Sequence, residues 1–174
     1  MRKLLFLRRL LDLLFIILIL TATATVLLCG IFLFTDSGTP LPDVITISSI
    51  TLKELDFGTK SILITGSIAY LIFVYAVFLL KKITRQFSRT KIFEDNIIKQ
   101  LSQVGYSFIG IAALLYIPSF IYRLTKHNLT IGFDFFNNLF NSFLFIISLG
   151  LFFMVLSSIF KIAKHIKEEN DLTV

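Results

Sequence analysis

Tryptophan is absent, cysteine occurs once, and charged residues are scarce. The single Cys29 excludes an intrachain disulfide and a zinc site of the multi-cysteine kind. It reads as a small apolar residue within a helix. Charged side chains make up 16% of the 174 residues, against about 25% in soluble domains. No phosphate-cradling glycine loop, no His-Glu-x-x-His and no Gly-x-Ser-x-Gly occurs. The common sequence signatures of phosphate binding, zinc proteolysis and serine hydrolysis are therefore missing. The sequence points to no enzyme, no cofactor and no metal.

What fills the chain instead is hydrocarbon. Apolar residues reach 56%, mean hydropathy is +0.86, and there are 20 phenylalanines. A soluble domain this small keeps too much of its surface exposed to hide that much apolar area. Four runs are long enough to cross a bilayer, which takes roughly 20 apolar residues. They are Leu13–Phe34, Ser61–Leu80, Val104–Tyr122 and Phe140–Phe160, and none contains Asp, Glu, Lys, Arg or His. The expected fold is an all-α integral membrane protein. It is a compact four-transmembrane-helix bundle over residues 1–174, a single domain with short outer loops.

Orientation follows from the basic residues. Arg2, Lys3, Arg8 and Arg9 precede the first run. Lys81, Lys82, Arg85, Arg89, Lys91 and Lys99 lie in the loop 81–103. Lys161, Lys164 and Lys167 follow the last run. The other side holds Lys53, Lys60, Arg123 and Lys126. This asymmetry predicts a cytoplasmic N-terminus, C-terminus and middle loop in a cell (inner or plasma) membrane. The net charge of +6 then belongs to a membrane surface and not to a nucleic-acid interface. A basic start followed by Ala22-Thr23-Ala24 also fits a cleavable signal peptide. The apolar run continues to Phe34, which favours an uncleaved anchor.

The outer loop 35–60 opens with turn residues, Asp36-Ser37-Gly38-Thr39-Pro40 and Pro42. Val44 to Leu52 is rich in β-branched residues, a pattern able to form a small β-hairpin. A similar piece around Leu129 to Phe135 lies in the outer loop 123–139, and the two loops are candidates to pair. Asn128-Leu129-Thr130 matches a glycosylation acceptor, a short and common pattern. His127 and His165 fall on opposite sides of the membrane and cannot share a metal.

The loop 81–103 carries more information. Ile97, Leu101, Val104 and Phe108 recur at helical spacing, with Lys99, Gln100 and Gln103 opposite. Glu94 and Asp95 stand where acids favour a helix start. The spacing predicts a helix from Glu94 into the third run, its first turns lying amphipathically on the membrane surface. In the tail, Ile159, Ile162 and Ile166 share one face, and Glu168 and Glu169 follow.

Ile92-Phe93-Glu94-Asp95-Asn96 through Ile109, and the tail Ile159 to Val174, resemble two motifs of a family of small bacterial membrane proteins, domain of unknown function 2975 (DUF2975). The resemblance extends over the whole chain in length, spans and charge layout. Phe93, Asn96, Leu101 and Gly105 match the first motif. Glu168, Glu169, Asn170, Asp171, Leu172 and Thr173 match the second. Gln103-Val104 departs from the basic residue and isoleucine more usual there. The resemblance implies no reaction. It implies a membrane partner for a cytoplasmic transcriptional regulator of the Xre helix-turn-helix type, and it makes these ten residues the candidate partner-binding set.

Two other readings stay open. A small transporter or channel subunit needs a polar path, for which Thr21, Thr23 and Thr25 of the first run are candidates. A lipid-modifying enzyme needs Asp36, Asp43, Asp56 and His127 to converge. Small residues (Gly66, Gly105, Gly110, Ala113, Gly150) allow close helix approach. Pro118 predicts a kink in the third run or a loosened outer turn.

Overall fold

A computed structural model describes residues 2–36, 46–47, 50–51, 55–86, 94–126 and 143–172. Four helices dominate: α1 (Arg2–Phe34), α2 (Phe57–Gln86), α3 (Asp95–Lys126) and α4 (Phe143–Leu172). Each is long and apolar enough to cross a membrane, and the protein is a multi-pass membrane protein. A helix satisfies its own backbone groups, which hydrocarbon cannot do for it. At 30 to 33 residues, each helix is about 45–50 Å long and outreaches a hydrocarbon core of about 30 Å.

Between α1 and α2, β1 (Thr46–Ile47) pairs antiparallel with β2 (Ile50–Thr51). The anticipated hairpin amounts to this two-residue ladder, too short to count as a layer, and the fold is all-α. The segment around Leu129 to Phe135, His127 and the Asn128 acceptor lie outside the described residues.

Each helix packs on its neighbour in sequence, α1 on α2, α2 on α3 and α3 on α4. No comparable packing joins α1 to α3 or α4 among the described residues. The arrangement is therefore open, and the expectation of a compact bundle is corrected. The core lies around α3. Ala69, Leu79 and Ile83 of α2 meet Ile97, Leu101, Val104, Phe108 and Ile111 of α3, with Phe153, Leu156 and Phe160 of α4 closing over them. Phe108 stacks on Phe153, ring centroids 5.8 Å apart. Phe73 stands edge-on to Phe108 at 6.3 Å.

Close approach of α3 and α4 depends on two glycines. A Cβ at Gly105 would stand 2.7 Å from the Gly150 carbonyl oxygen, and one at Gly150 would stand 2.9 Å from that of Gly105. Toward the helix ends, the buried Ser157 hydroxyl donates to the Ile98 carbonyl at 2.7 Å. Ser157→Ala is expected to cost about 1 kcal/mol, read as a lower unfolding midpoint in detergent. α3 continues through Pro118 as one helix. The Ser119 hydroxyl donates to the Leu115 carbonyl beside the proline at 2.6 Å.

Helix α1 is peripheral. Ala22 is its one buried apolar residue among the described side chains. It is held to α2 at both ends and in the middle. At one end, Asp12 meets Lys81 and Arg85, each at 2.9 Å, and the Arg8 guanidinium donates to the Thr84 carbonyl at 3.0 Å. In the middle, the Thr21 hydroxyl bonds the Tyr70 hydroxyl. At the other end, the Lys60 ammonium donates to the Thr35 carbonyl at 2.8 Å, where a cation suits the negative end of α1. Asp56 starts α2 by accepting from the Phe57 amide at 2.7 Å.

Candidate functional site

The start of α3, the end of α4, the end of α2 and the start of α1 share one end of the fold, the basic end. Glu94 precedes α3, and its carbonyl accepts from the Ile97 and Ile98 amides at 3.0 and 3.2 Å. Ile97, Ile98, Leu101 and Val104 are then 0, 9, 4 and 0% exposed. The first turns of α3 are thus packed between α2 and α4. They do not lie on the membrane surface, which corrects the expectation of a surface helix. Gln100, expected on the polar face, is also buried. It sits only about 60° around the helix from Ile97. Its amide nitrogen donates to the Asn96 side-chain oxygen at 2.9 Å. Its own oxygen is buried without a hydrogen-bond partner.

The two motif segments, about seventy residues apart in sequence, meet here. The Lys164 ammonium lies 2.6 Å from Asp95 and 3.5 Å from Glu168. One cation thus joins the head of α3 to the tail of α4. His165 lies 3.4 Å from Glu169. Glu94, Asp95, Glu168 and Glu169 are all exposed, and two of these carboxylates, Asp95 and Glu168, flank Lys164.

Of the ten candidate residues, Asn96, Glu168, Glu169 and Asn170 are exposed on this end. Leu101 and Gly105 are buried in the chain's own packing. Asp171 and Leu172 are described in backbone alone, and Phe93 and Thr173 lie outside the described residues. The residues that sequence reasoning missed are Asp95, Lys164, Asp12 and Ser157. A signal existed for Asp12, a carboxylate standing alone at the start of an apolar run. None existed for Ser157, whose hydroxyl looks like any other in the fourth run.

The family model described as protein of unknown function (DUF2975) matches residues 34–174. The chain belongs to this family. The match takes in α2, α3 and α4 and begins at the last residue of α1. The DUF2975 match thus coincides with the three helices that share the core, and the resemblance is narrower than the whole chain. No curated protein and no solved structure matches the chain.

The other candidate positions in this DUF2975 protein have visible structural roles. Thr21, Thr23 and Thr25 donate to carbonyls of α1 itself at 2.7 to 3.1 Å. The interior between α2, α3 and α4 is filled by phenylalanine and aliphatic side chains. Asp56 is the cap of α2, Asp36 is exposed, and Asp43 and His127 lie outside the described residues. Among the described residues no group of three or more His, Cys, Asp or Glu forms a metal cluster.

Proposed function

We propose that this DUF2975 protein is a non-enzymatic regulatory protein of a bacterial inner membrane, with its basic end in the cytoplasm. There it docks a soluble partner such as a helix-turn-helix regulator of the Xre type. The observation that carries this reading is the Asp95–Lys164–Glu168 junction. It makes one composite surface from the two segments that the family resemblance singles out. The exposed side chains of that surface are Asn96, Glu168, Glu169 and Asn170, beside Glu94 and Asp95. Carboxylates of this kind complement a partner with a basic face, as DNA-binding proteins have. On this reading the contact restrains the regulator by covering the face that meets DNA.

The test is a crosslinking pull-down of the full chain from native membranes. The wild type is expected to bring down a small DNA-binding protein. Asn96→Ala combined with deletion of residues 170–174 is expected to lose it. Retention by that variant, or no soluble protein on the wild type, overturns the reading. A charge exchange sharpens it: Asp95→Lys is expected to weaken capture, and Asp95→Lys with Lys164→Asp to restore it. If both retain capture equally, the junction is not the docking surface.

A further inference from the structure

Helix α4 shows a seven-residue rhythm on two opposite faces. On the face toward α3, Gly150, Ser157 and Lys164 make the glycine crossing, the hydroxyl bond to Ile98 and the ion pair with Asp95. They are spaced seven apart. On the face turned away, Phe152, Val155, Ile159, Ile162 and Ile166 follow at steps of three and four. Their exposures are 58, 57, 53, 62 and 53%. This is the a/d spacing of a coiled coil, and a strict seven-residue repeat keeps such a stripe facing a partner helix.

The first part of this stripe lies within the apolar run, and the last part lies beyond it. The apolar run ends at Phe160, and Ile166 lies about 9 Å further along the helix, beyond Lys161 and Lys164. A depression on this stretch is lined by Lys161, Ile162, His165, Ile166 and Glu169. Ile162, His165, Ile166 and Glu169 stand at i, i+3, i+4 and i+7, the four-residue hole that receives one side chain of a facing helix.

We propose that the occupant is a second copy of this chain, packed parallel, α4 against α4, along Phe152 to Ile166. Two copies in one membrane orientation place identical stripes side by side in register. This makes the stripe self-complementary, as a two-fold contact requires. The area is sufficient. Six side chains, with Leu151 flanking the five, each offer roughly 100 Å², so a pair of copies buries about 1,200 Å², the lower bound of a standard interface. The coiled-coil stretch past the membrane supplies the hydrophobic drive that lipid-facing contacts lack. The inference does not rest on the regulator reading.

The test is disulfide crosslinking in membranes, on a Cys29→Ala background. A disulfide needs Cα atoms within about 7 Å of each other. Ile162→Cys and Ile166→Cys are expected to give a disulfide-linked pair of chains. Lys167→Cys, also exposed but off the stripe, is expected to stay single. In parallel, Ile162→Lys with Ile166→Lys is expected to convert the assembly to monomers by native mass spectrometry. Both side chains are exposed, so the helix itself tolerates the change. Stripe cysteines that crosslink no better than Lys167→Cys, or that link to a different protein, overturn the proposal. So does a mass unchanged by the lysine pair.

Discussion

Leucine at Gly105 is expected to force α3 and α4 apart and to cost about 3 kcal/mol or more. The reason is what the new side chain meets. A Cβ at this position would lie 2.7 Å from the Gly150 carbonyl oxygen, 2.6 Å from Met154 Cγ and 3.1 Å from the Met154 amide nitrogen. A flexible side chain can swing away, but a helix backbone cannot. The helices have to separate, and separation also breaks the Ser157–Ile98 hydrogen bond and the Phe108–Phe153 stack. Gly105→Ala already introduces the clashing atom, so stability should fall in the order glycine, alanine, leucine. Thermal denaturation of the purified protein in detergent reads this order. Gly110 is the control. Nothing lies within 4 Å of a Cβ there, so Gly110→Ala is expected to be neutral or slightly stabilising through helix propensity. Equal effects at Gly105 and Gly110 would contradict the crossing.

Phe108→Ala is expected to cost about 3 kcal/mol. Its ring lies between Phe153, nearly parallel at 7°, and Phe73, at 71°. It is also among the core residues of α3. Truncation opens a cavity at the point where three helices meet. Because lipid is as apolar as leucine, little of this cost is hydrophobic transfer. It is lost dispersion contact, which a residual cavity does not recover. Phe152→Ala removes a ring of the same size that is 58% exposed. It is expected to leave the fold of the single chain nearly unchanged. Unfolding midpoints of the two variants, measured on the monomer, separate the buried ring from the exposed one.

The spans were legible because length and the absence of charge are properties of a continuous run. Leu13–Phe34 and its three counterparts needed no knowledge of neighbours. The start of α3 was also legible, since Glu94 and Asp95 stand ahead of a periodic apolar pattern. What the sequence could not show is which face meets which. Gly105 and Gly150 were both visible as small residues, yet their pairing is between helices and leaves no pattern within either. Leu101 and Gly105 belong to a motif that looks like a docking segment, and packing turns both inward. Gln100 was placed with the polar residues, but its position on α3 brings it under cover. The Asp95–Lys164 junction was hidden for the same reason, since each residue alone is an ordinary surface charge. The openness of the arrangement was equally invisible, because an apolar helix reads alike whether lipid or protein covers it.

The central claim is that one end of a four-span protein carries both motif segments and faces the cytoplasm. Substituted-cysteine labelling tests it most directly. On a Cys29→Ala background, Asp36→Cys, Lys99→Cys and Lys167→Cys are treated with a membrane-impermeant maleimide, first in intact bacterial cells and then after permeabilisation. The account predicts that Asp36→Cys labels in intact cells, and that Lys99→Cys and Lys167→Cys label only once the membrane is opened. Labelling of Lys99→Cys or Lys167→Cys in intact cells would contradict it.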